Sequence, residues 1–255
     1  MIAKFFKRRA AAEPIPLPEL PPGERIYAIG DVHGRLDLLD DLLMQIGADN
    51  AARAPAATTL LFLGDLVDRG PDSAGVVERV RKLAASGVNV RVLMGNHEEV
   101  FLTAVQGDLP ALRFCCRIGG RETIISYGIS QEEYERLDYA ELAERITELV
   151  PAEHIEFITS FEDVIVAGGY VFVHAGLRPN VAIADQRQKD MRWIREPFLE
   201  HEGAFEAFVV HGHTILEDID ERANRIGIDT GAYATGKLTA LGIEGTDRWI
   251  LQTAN

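Results

Sequence analysis

From Arg25 onward the apolar residues fall into short blocks of two kinds that take turns. "RIYAIGD" is a compact apolar run and reads as a strand, whereas "RLDLLDDLLMQIG" places Leu36, Leu39, Leu43 and Ile46 at helical spacing. "TTLLFLGD" repeats the first kind. "PDSAGVVERVRKLAASG" repeats the second, with Pro71 and Asp72 near the helix start and Gly87 as its stop. "VNVRVLMGN" and "EEVFLTAVQ" make a third pair. Strand and helix alternating in this way predict an α/β fold with parallel βαβ units and right-handed crossovers.

Residues 101–162 break that rhythm. Ser130 and Glu133 have the spacing of a capping box, and "EEYERLDYAELAERITELV" then reads as one polar, amphipathic helix. This stretch is expected to be a helical insertion or cap within a single domain over 25–255. Further on, "DVIVAGGYVFVHAG" predicts a hairpin turning at Gly168-Gly169, and "AFVVHGHT" another strand. "RIGIDTG" and "KLTALGIEGTDRWILQT" predict short antiparallel strands around Gly-rich turns.

Composition narrows the possibilities. A chain of 255 residues can bury a full core, and no apolar run approaches the length of a membrane span. A net charge of -14 and a pI near 4.9 argue against a dedicated nucleic-acid binder. A site for anionic substrates would then have to gather positive charge locally, through metals or a few arginines. The two cysteines, Cys115 and Cys116, are adjacent and cannot staple a fold, so free thiols in a reducing cytoplasm are expected. "MIAKFFKRRA" lacks the apolar core of a signal peptide, and the "EPIPLPELPPGE" that follows is Pro-rich; residues 1–24 are expected to form a flexible tail.

The chemistry lies where the apolar runs stop. The first is followed by Gly30-Asp31-Val32-His33-Gly34 and the second by Gly64-Asp65-Leu66-Val67-Asp68-Arg69-Gly70. Gly95-Asn96-His97-Glu98, His174-Ala175-Gly176 and His211-Gly212-His213-Thr214 follow the others. In open α/β sheets, ligands bind outside the carboxyl ends of the strands, so these five scattered segments are expected to converge. Asp, Asn and His offer oxygen and nitrogen donors without thiolate, which suits manganese, iron or zinc. Six such donors exceed what one catalytic ion needs and suit two ions sharing a carboxylate, for which Asp65 is the candidate. Paired ions about 3.5–4 Å apart can clamp both the attacking and the leaving oxygen of an in-line displacement.

"GDVHG", "GDLVDRG", "GNHE", "HAG" and "GHT", in that order, resemble the signature of the metallophosphoesterases, specifically the small bacterial and phage branch of the phosphoprotein phosphatases. The resemblance runs from Arg25 to the C-terminus. It implies a β-sandwich of mixed sheets flanked by helices, and two divalent metal ions, manganese foremost, with iron or zinc as alternatives. Asp31 and His33 would hold one ion and Asn96, His174 and His213 the other, with Asp65 between them and a bridging hydroxide as nucleophile. His97 matches the general acid, Asp68 the carboxylate that orients it, and Arg69 a phosphate clamp. "MRWIREPF" resembles the segment that supplies a second clamp, Arg195. Asp229 and Tyr233, in "IDTGAY", are candidates to line the cleft. Glu98 and His211 read as supporting residues, Asp72 as a helix cap, and Asp37, Asp40 and Asp41 as a solvated helix face; His154 and His201 suggest no role.

The leading expectation is a phosphomonoesterase acting on phosphoserine or phosphothreonine, with phosphotyrosine as a further candidate, in a protein or peptide partner. The chief rival is a symmetrical hydrolase of dinucleoside tetraphosphates, whose members tend to depart from "VDRG" at the Asp and from "GNHE" at the Glu; this chain keeps both. A non-catalytic phosphopeptide binder would be expected to lack a ligand or His97, and none is missing. Neither the sequence nor the resemblance fixes the oligomeric state.

Overall fold

The computed structural model of the chain describes residues 17–254. Its ten strands form two five-stranded sheets. The first has the order β10-β9-β1-β2-β3, built from Asp247–Gln252, Thr239–Glu244, Glu24–Ile29, Ala57–Phe62 and Asn89–Val92. β1, β2 and β3 are parallel, as the alternating pattern predicts, and the β9–β10 hairpin adds to the free side of β1 antiparallel. The second sheet has the order β4-β5-β6-β8-β7, from Val164–Ala167, Tyr170–Val173, Phe208–His211, Arg225–Gly227 and Asp220–Glu221. Here β5, β6 and β8 are parallel, so the C-terminal strands are not all antiparallel as expected; β8 lies alongside β6 and only β7 reverses on it.

Side-chain alternation builds the layers. Ile26 and Ala28 of β1 point between the sheets, where they join Leu61, Phe172, Val210 and Leu241 in one buried cluster. Tyr27 and Ile29 point the other way, onto Leu39, Leu42 and Ile46 of α1 (Leu36–Ala52) and Val76 and Val80 of α2 (Ser73–Ala85). Asp72 caps α2 by accepting the Gly75 N–H at 2.8 Å. The outer face of the second sheet packs Val171 and Val209 on Met191, Ile194 and Phe198. The result is a pair of mixed sheets with helical cover, and burial on both faces explains why the central strands are almost continuously apolar.

The stretch 101–162 is helical, and its apolar side chains form a cluster that Val67, Val77 and Met94 also enter. It comprises the end of α3 (Asn96–Val105), α4 (Leu109–Cys115), a wide turn over Cys116–Gly120, α5 (Arg121–Ser126), α6 (Gln131–Arg136), α7 (Tyr139–Leu149) and α8 (Ala152–Thr159). Phe101, Leu112, Ile124, Leu142, Ile146 and Ile158 pack together there. The single long helix expected after Ser130 is two helices. Asp138 interrupts it because its carboxylate accepts the N–H groups of Ala140 and Glu141 while Glu141 returns a bond to the Asp138 N–H, a full capping box that restarts the chain as α7.

Of the 1–24 stretch expected to be a flexible tail, residues 1–16, the basic run included, lie outside the described residues. Where the chain is described, residues 17–24 are not free: Leu20 is buried between the sheets, its N–H reaches the Gly245 carbonyl at 3.0 Å, and Glu19 O accepts from Gly169 N at 2.8 Å. A leucine between prolines is what an apolar gap at the sheet edge selects. Two short helices complete the description, α9 (Gln188–Trp193) and α10 (Ala232–Thr235).

Candidate metal centre

The five strand-end segments meet. Asp65 Oδ2 lies 3.6 Å from His33 Nε2, 3.9 Å from His97 Nε2 and 3.4 Å from His174 Nε2. On the far side Asn96 Oδ1 stands 3.1 Å from His174 Nε2 and 2.8 Å from His213 Nδ1. Two groups result, His33–Asp65–His97 and Asp65–His174–His213, with Asp65 in both. Asp31 joins through the His213 N–H, which its Oδ2 accepts at 3.0 Å.

Backbone conformation aims these side chains. Among the described residues six non-glycine positions have φ in the left-handed region, and five are His33, Asp65, Asp68, Arg69 and His213. Each such residue costs on the order of 1–3 kcal/mol and persists only where its surroundings dictate it. Glu98 supplies much of that dictation: its carboxylate accepts from the N–H groups of Asp65, Leu66, Val67 and Gly95 at 2.6–3.1 Å. The glycines before the ligands let backbone and carboxylate approach; a Cβ on Gly95 or on Gly212 would lie 2.1 Å from an oxygen of Asp65 or of Asp31.

The donor set fits divalent cations. His33 and His174 each point Nδ1 at a backbone carbonyl, of Val67 and Leu63, at 2.7 Å, which places a proton there and turns Nε2 toward Asp65. Burial lowers the pKa of His33 to about 3, and burial and then the His174 charge lower that of His213 to about 3, so both stay neutral. Burial works against the Asp65 carboxylate, yet His174 and His97 hold it well below the usual range. Asp31 is pushed well above it, by burial, by Asp229 and by Asp65. Asp31 Oδ1 and Asp229 Oδ2 are buried with no hydrogen-bond partner. Buried oxygens without donors, in a cluster of three carboxylates, are what cations would compensate.

His97 and Arg69 cross the face of this cluster. His97 Nδ1 lies 2.7 Å from Asp68 Oδ2; burial opposes a charge on the ring, but the Asp65 and Asp68 carboxylates outweigh it and raise the pKa. Arg69 directs Nη1 to His33 Nε2 at 3.0 Å and Nη2 to His97 Nε2 at 3.1 Å, and so spans the two. Arg195 is exposed at the rim, with Nη2 3.4 Å from the His213 carbonyl. Tyr233 faces the cleft, its ring 4.9 Å from the Arg69 guanidinium and 5.6 Å from the His33 ring.

His211, expected to be structural, is buried outside the cluster, 3.4 Å from Arg225 Nη1. His154 is also buried, between the Tyr127 hydroxyl and Glu78. Sequence reasoning missed Thr123 and Ser73, whose hydroxyls bind Asp68. Thr123 lies 55 positions from Asp68, beyond any motif, and no local signal marks it. The 740 Å³ cavity lined by Leu17, Phe205, Phe208 and Arg248 contains none of these site residues.

Comparison with known proteins shows the family and the fold. The family model of the calcineurin-like phosphoesterases matches residues 24–241. A symmetrical bis(5'-nucleosyl)-tetraphosphatase of Acidovorax sp. (strain JS42) is 43% identical over 82 residues, 32% of this chain and only about a quarter (26%) of that protein. The asymmetrical bis(5'-nucleosyl)-tetraphosphatase PrpE of Bacillus mycoides (strain KBAB4) is 26% identical over 237 residues, 84% of this chain and 88% of that one. A crystal structure provisionally assigned as a diadenosine tetraphosphatase shares the fold, with a TM-score of 0.63 at 22% identity over 92% of this chain and 97% of that one.

Proposed function

We propose, for a chain that belongs to the calcineurin-like phosphoesterase family, that its substrate is a bis(5'-nucleosyl) tetraphosphate. The chain is a metallophosphoesterase-type hydrolase, and the observation that carries its chemistry is Asp65 shared between two ligand groups beneath the Arg69 guanidinium. Two divalent cations held by Asp31, His33, Asp65, Asn96, His174 and His213 would supply Lewis acidity and activate the attacking water. Arg69 presents a planar fork to the equatorial phosphoryl oxygens, with Arg195 at the rim as a second clamp. His97, oriented by Asp68, holds Nε2 where it would give a proton to a leaving oxygen basic enough to take one. Metal identity follows supply as much as ligand type, and manganese is our first choice.

The substrate rests on the relatives. Both sequence relatives are named for dinucleoside tetraphosphates, and one of them matches along most of both chains. This reverses the order in which the motifs alone ranked the two substrates. The phosphoprotein reading retains in its favour the His97–Asp68 pair and the Glu98 that completes "GNHE". A nucleotide phosphate leaves as a stabilised anion and gains little from a proton, whereas a seryl or threonyl alkoxide needs one. Among the described residues no helix is long and apolar enough to cross a membrane. The free thiols of Cys115 and Cys116 are our ground for proposing a reducing, cytoplasmic setting.

The test is product analysis. Metal-stripped protein resupplied with manganese is given diadenosine tetraphosphate and, separately, phosphoserine, phosphothreonine and phosphotyrosine peptides. Faster turnover of the dinucleotide is expected, with two ADP marking symmetrical and ATP plus AMP asymmetrical cleavage. Peptide turnover that exceeds it in kcat/KM would return the substrate to phosphoprotein.

A further inference from the structure

We infer that Thr123, on the helical insertion, is a positioning residue for proton delivery: its hydroxyl fixes the carboxylate of Asp68 and through it the ring of His97. The inference rests on the phosphoester reading above and adds to it a residue from outside the strand-end motifs.

The hydrogen bonds permit one consistent arrangement. Thr123 Oγ1 lies 2.7 Å from Asp68 Oδ1, 2.8 Å from the Asp68 backbone N and 2.8 Å from Ser73 Oγ. A threonine hydroxyl has a single proton. Asp68 Oδ1, an ionised acceptor, takes that proton, so the Asp68 N–H and the Ser73 hydroxyl both donate to Thr123. Ser73 Oγ in turn lies 3.0 Å from the same Asp68 N–H and accepts a share of it. The chain of donation therefore runs from Ser73 to Thr123 to Asp68 Oδ1, and Asp68 Oδ2 is left to the His97 Nδ1–H at 2.7 Å.

Burial gives these bonds their weight. Asp68, Ser73 and Thr123 are inaccessible to solvent, so no water replaces a lost partner. Asp68 also has φ of 72°, in the left-handed region, and relies on outside bonds to stay there. α5, which carries Thr123, is itself tied to the start of α2: the Ala74 N–H donates to Ser126 Oγ at 3.0 Å, and Ser126 donates to the Thr123 carbonyl at 2.7 Å. The insertion thus reaches the reacting proton through one hydroxyl.

The experiment compares leaving groups. Thr123→Val keeps the shape and removes the hydroxyl, while Thr123→Ser restores it. Each is assayed with manganese on p-nitrophenyl phosphate, whose leaving group departs without help, and on phenyl phosphate, whose leaving group needs the proton. General acid catalysis contributes typically 10²–10⁴-fold, so misplacing the acid is expected to cost Thr123→Val at least about tenfold in kcat on phenyl phosphate. On p-nitrophenyl phosphate the loss is expected to stay under about threefold, with KM steady, and His97→Ala shows the same pattern in larger form. Thr123→Ser is expected to recover both substrates. Equal losses on the two esters, or a serine variant as impaired as valine, overturn the inference. If Thr123→Val does not fold, Ser73→Ala removes the donor to Thr123 and is read on the same pair, where equal losses again overturn it. Wild-type protein that turns over neither ester but cleaves diadenosine tetraphosphate overturns the inference and leaves the proposed function standing; wild-type protein that cleaves none of the three overturns the phosphoester reading itself.

Discussion

The loop from Asp65 to Gly70 and the segment from Cys115 to Thr123 meet at Asp68 and Arg69 but are built on opposite terms. The loop carries the chemistry and is strained, with Asp65, Asp68 and Arg69 all at positive φ. The segment carries no reacting group. Apart from Gly119, at φ 120°, it is helical and leans on the apolar cluster of the helical stretch, which Val67 of the loop also enters. It gives the loop a hydroxyl from Thr123 and a carbonyl from Gly119, which accepts the Arg69 N–H at 2.9 Å. Chemistry has been placed on the part that cannot hold its own shape, and the holding on a part that does nothing else.

The largest effect is expected from the loop. Asp65→Asn leaves the backbone at ease, since Asn tolerates the left-handed region, and keeps an oxygen to accept the His97 N–H now held at 3.1 Å. It removes the charge shared by both ligand groups. Transition-state stabilisation of several kcal/mol depends on that charge, so kcat is expected to fall by at least about a thousandfold with manganese present. Metal content measured on the same sample shows whether an ion has been lost. A loss under about tenfold would mean that Asp65 is not the shared ligand.

A smaller effect is expected from the support. A Cβ added to Gly119 would lie 2.6 Å from Arg69 Cγ and 3.0 Å from Arg69 N, at a φ that side chains rarely adopt. Gly119→Ala is expected to cost about 2 kcal/mol, roughly 4–8 °C in Tm for a chain of this size. Because the displaced group is the proposed phosphate clamp, KM should rise about tenfold, on the order of 1.4 kcal/mol of lost substrate binding. A Tm that falls with KM unchanged would show that the turn supports the fold and not the arginine.

The same contrast governs how much the chain discloses from sequence. The convergence of the candidate ligands with His97, Asp68 and Arg69 is legible because each follows on an apolar strand, so local order carries them to the sheet edge. The two-sheet arrangement follows less directly: the motifs imply it, but the parallel β6–β8 pairing depends on a register that no turn between them announces. Thr123 and Gly119 are illegible for a different reason. Their partners lie about fifty residues away, on loops whose course is fixed only once the insertion has folded. "FCCRIGG" is conspicuous in the sequence for its cysteines, yet those are free thiols, Cys115 buried and Cys116 half-buried, and the glycine near the end of the run is what touches the site.

The smallest expected effect bounds the contrast from the far side of the insertion. Asp138 lies in the same helical region as Thr123 but is exposed, and it serves only to start α7. Asp138→Ala removes an N-cap that satisfies two N–H groups, a loss of about 1 kcal/mol, or roughly 2–4 °C in Tm. Nothing in its contacts leads to Asp68, so kcat and the ratio of rates on phenyl and p-nitrophenyl phosphate should match the wild type. Thermal unfolding and the two-ester assay on one preparation decide this. If the ratio shifts as it does for Thr123→Val, the insertion acts on His97 through its overall stability, and the single hydroxyl loses its special standing. If Tm falls and the ratio holds, stability and proton delivery are separate properties of one helical region.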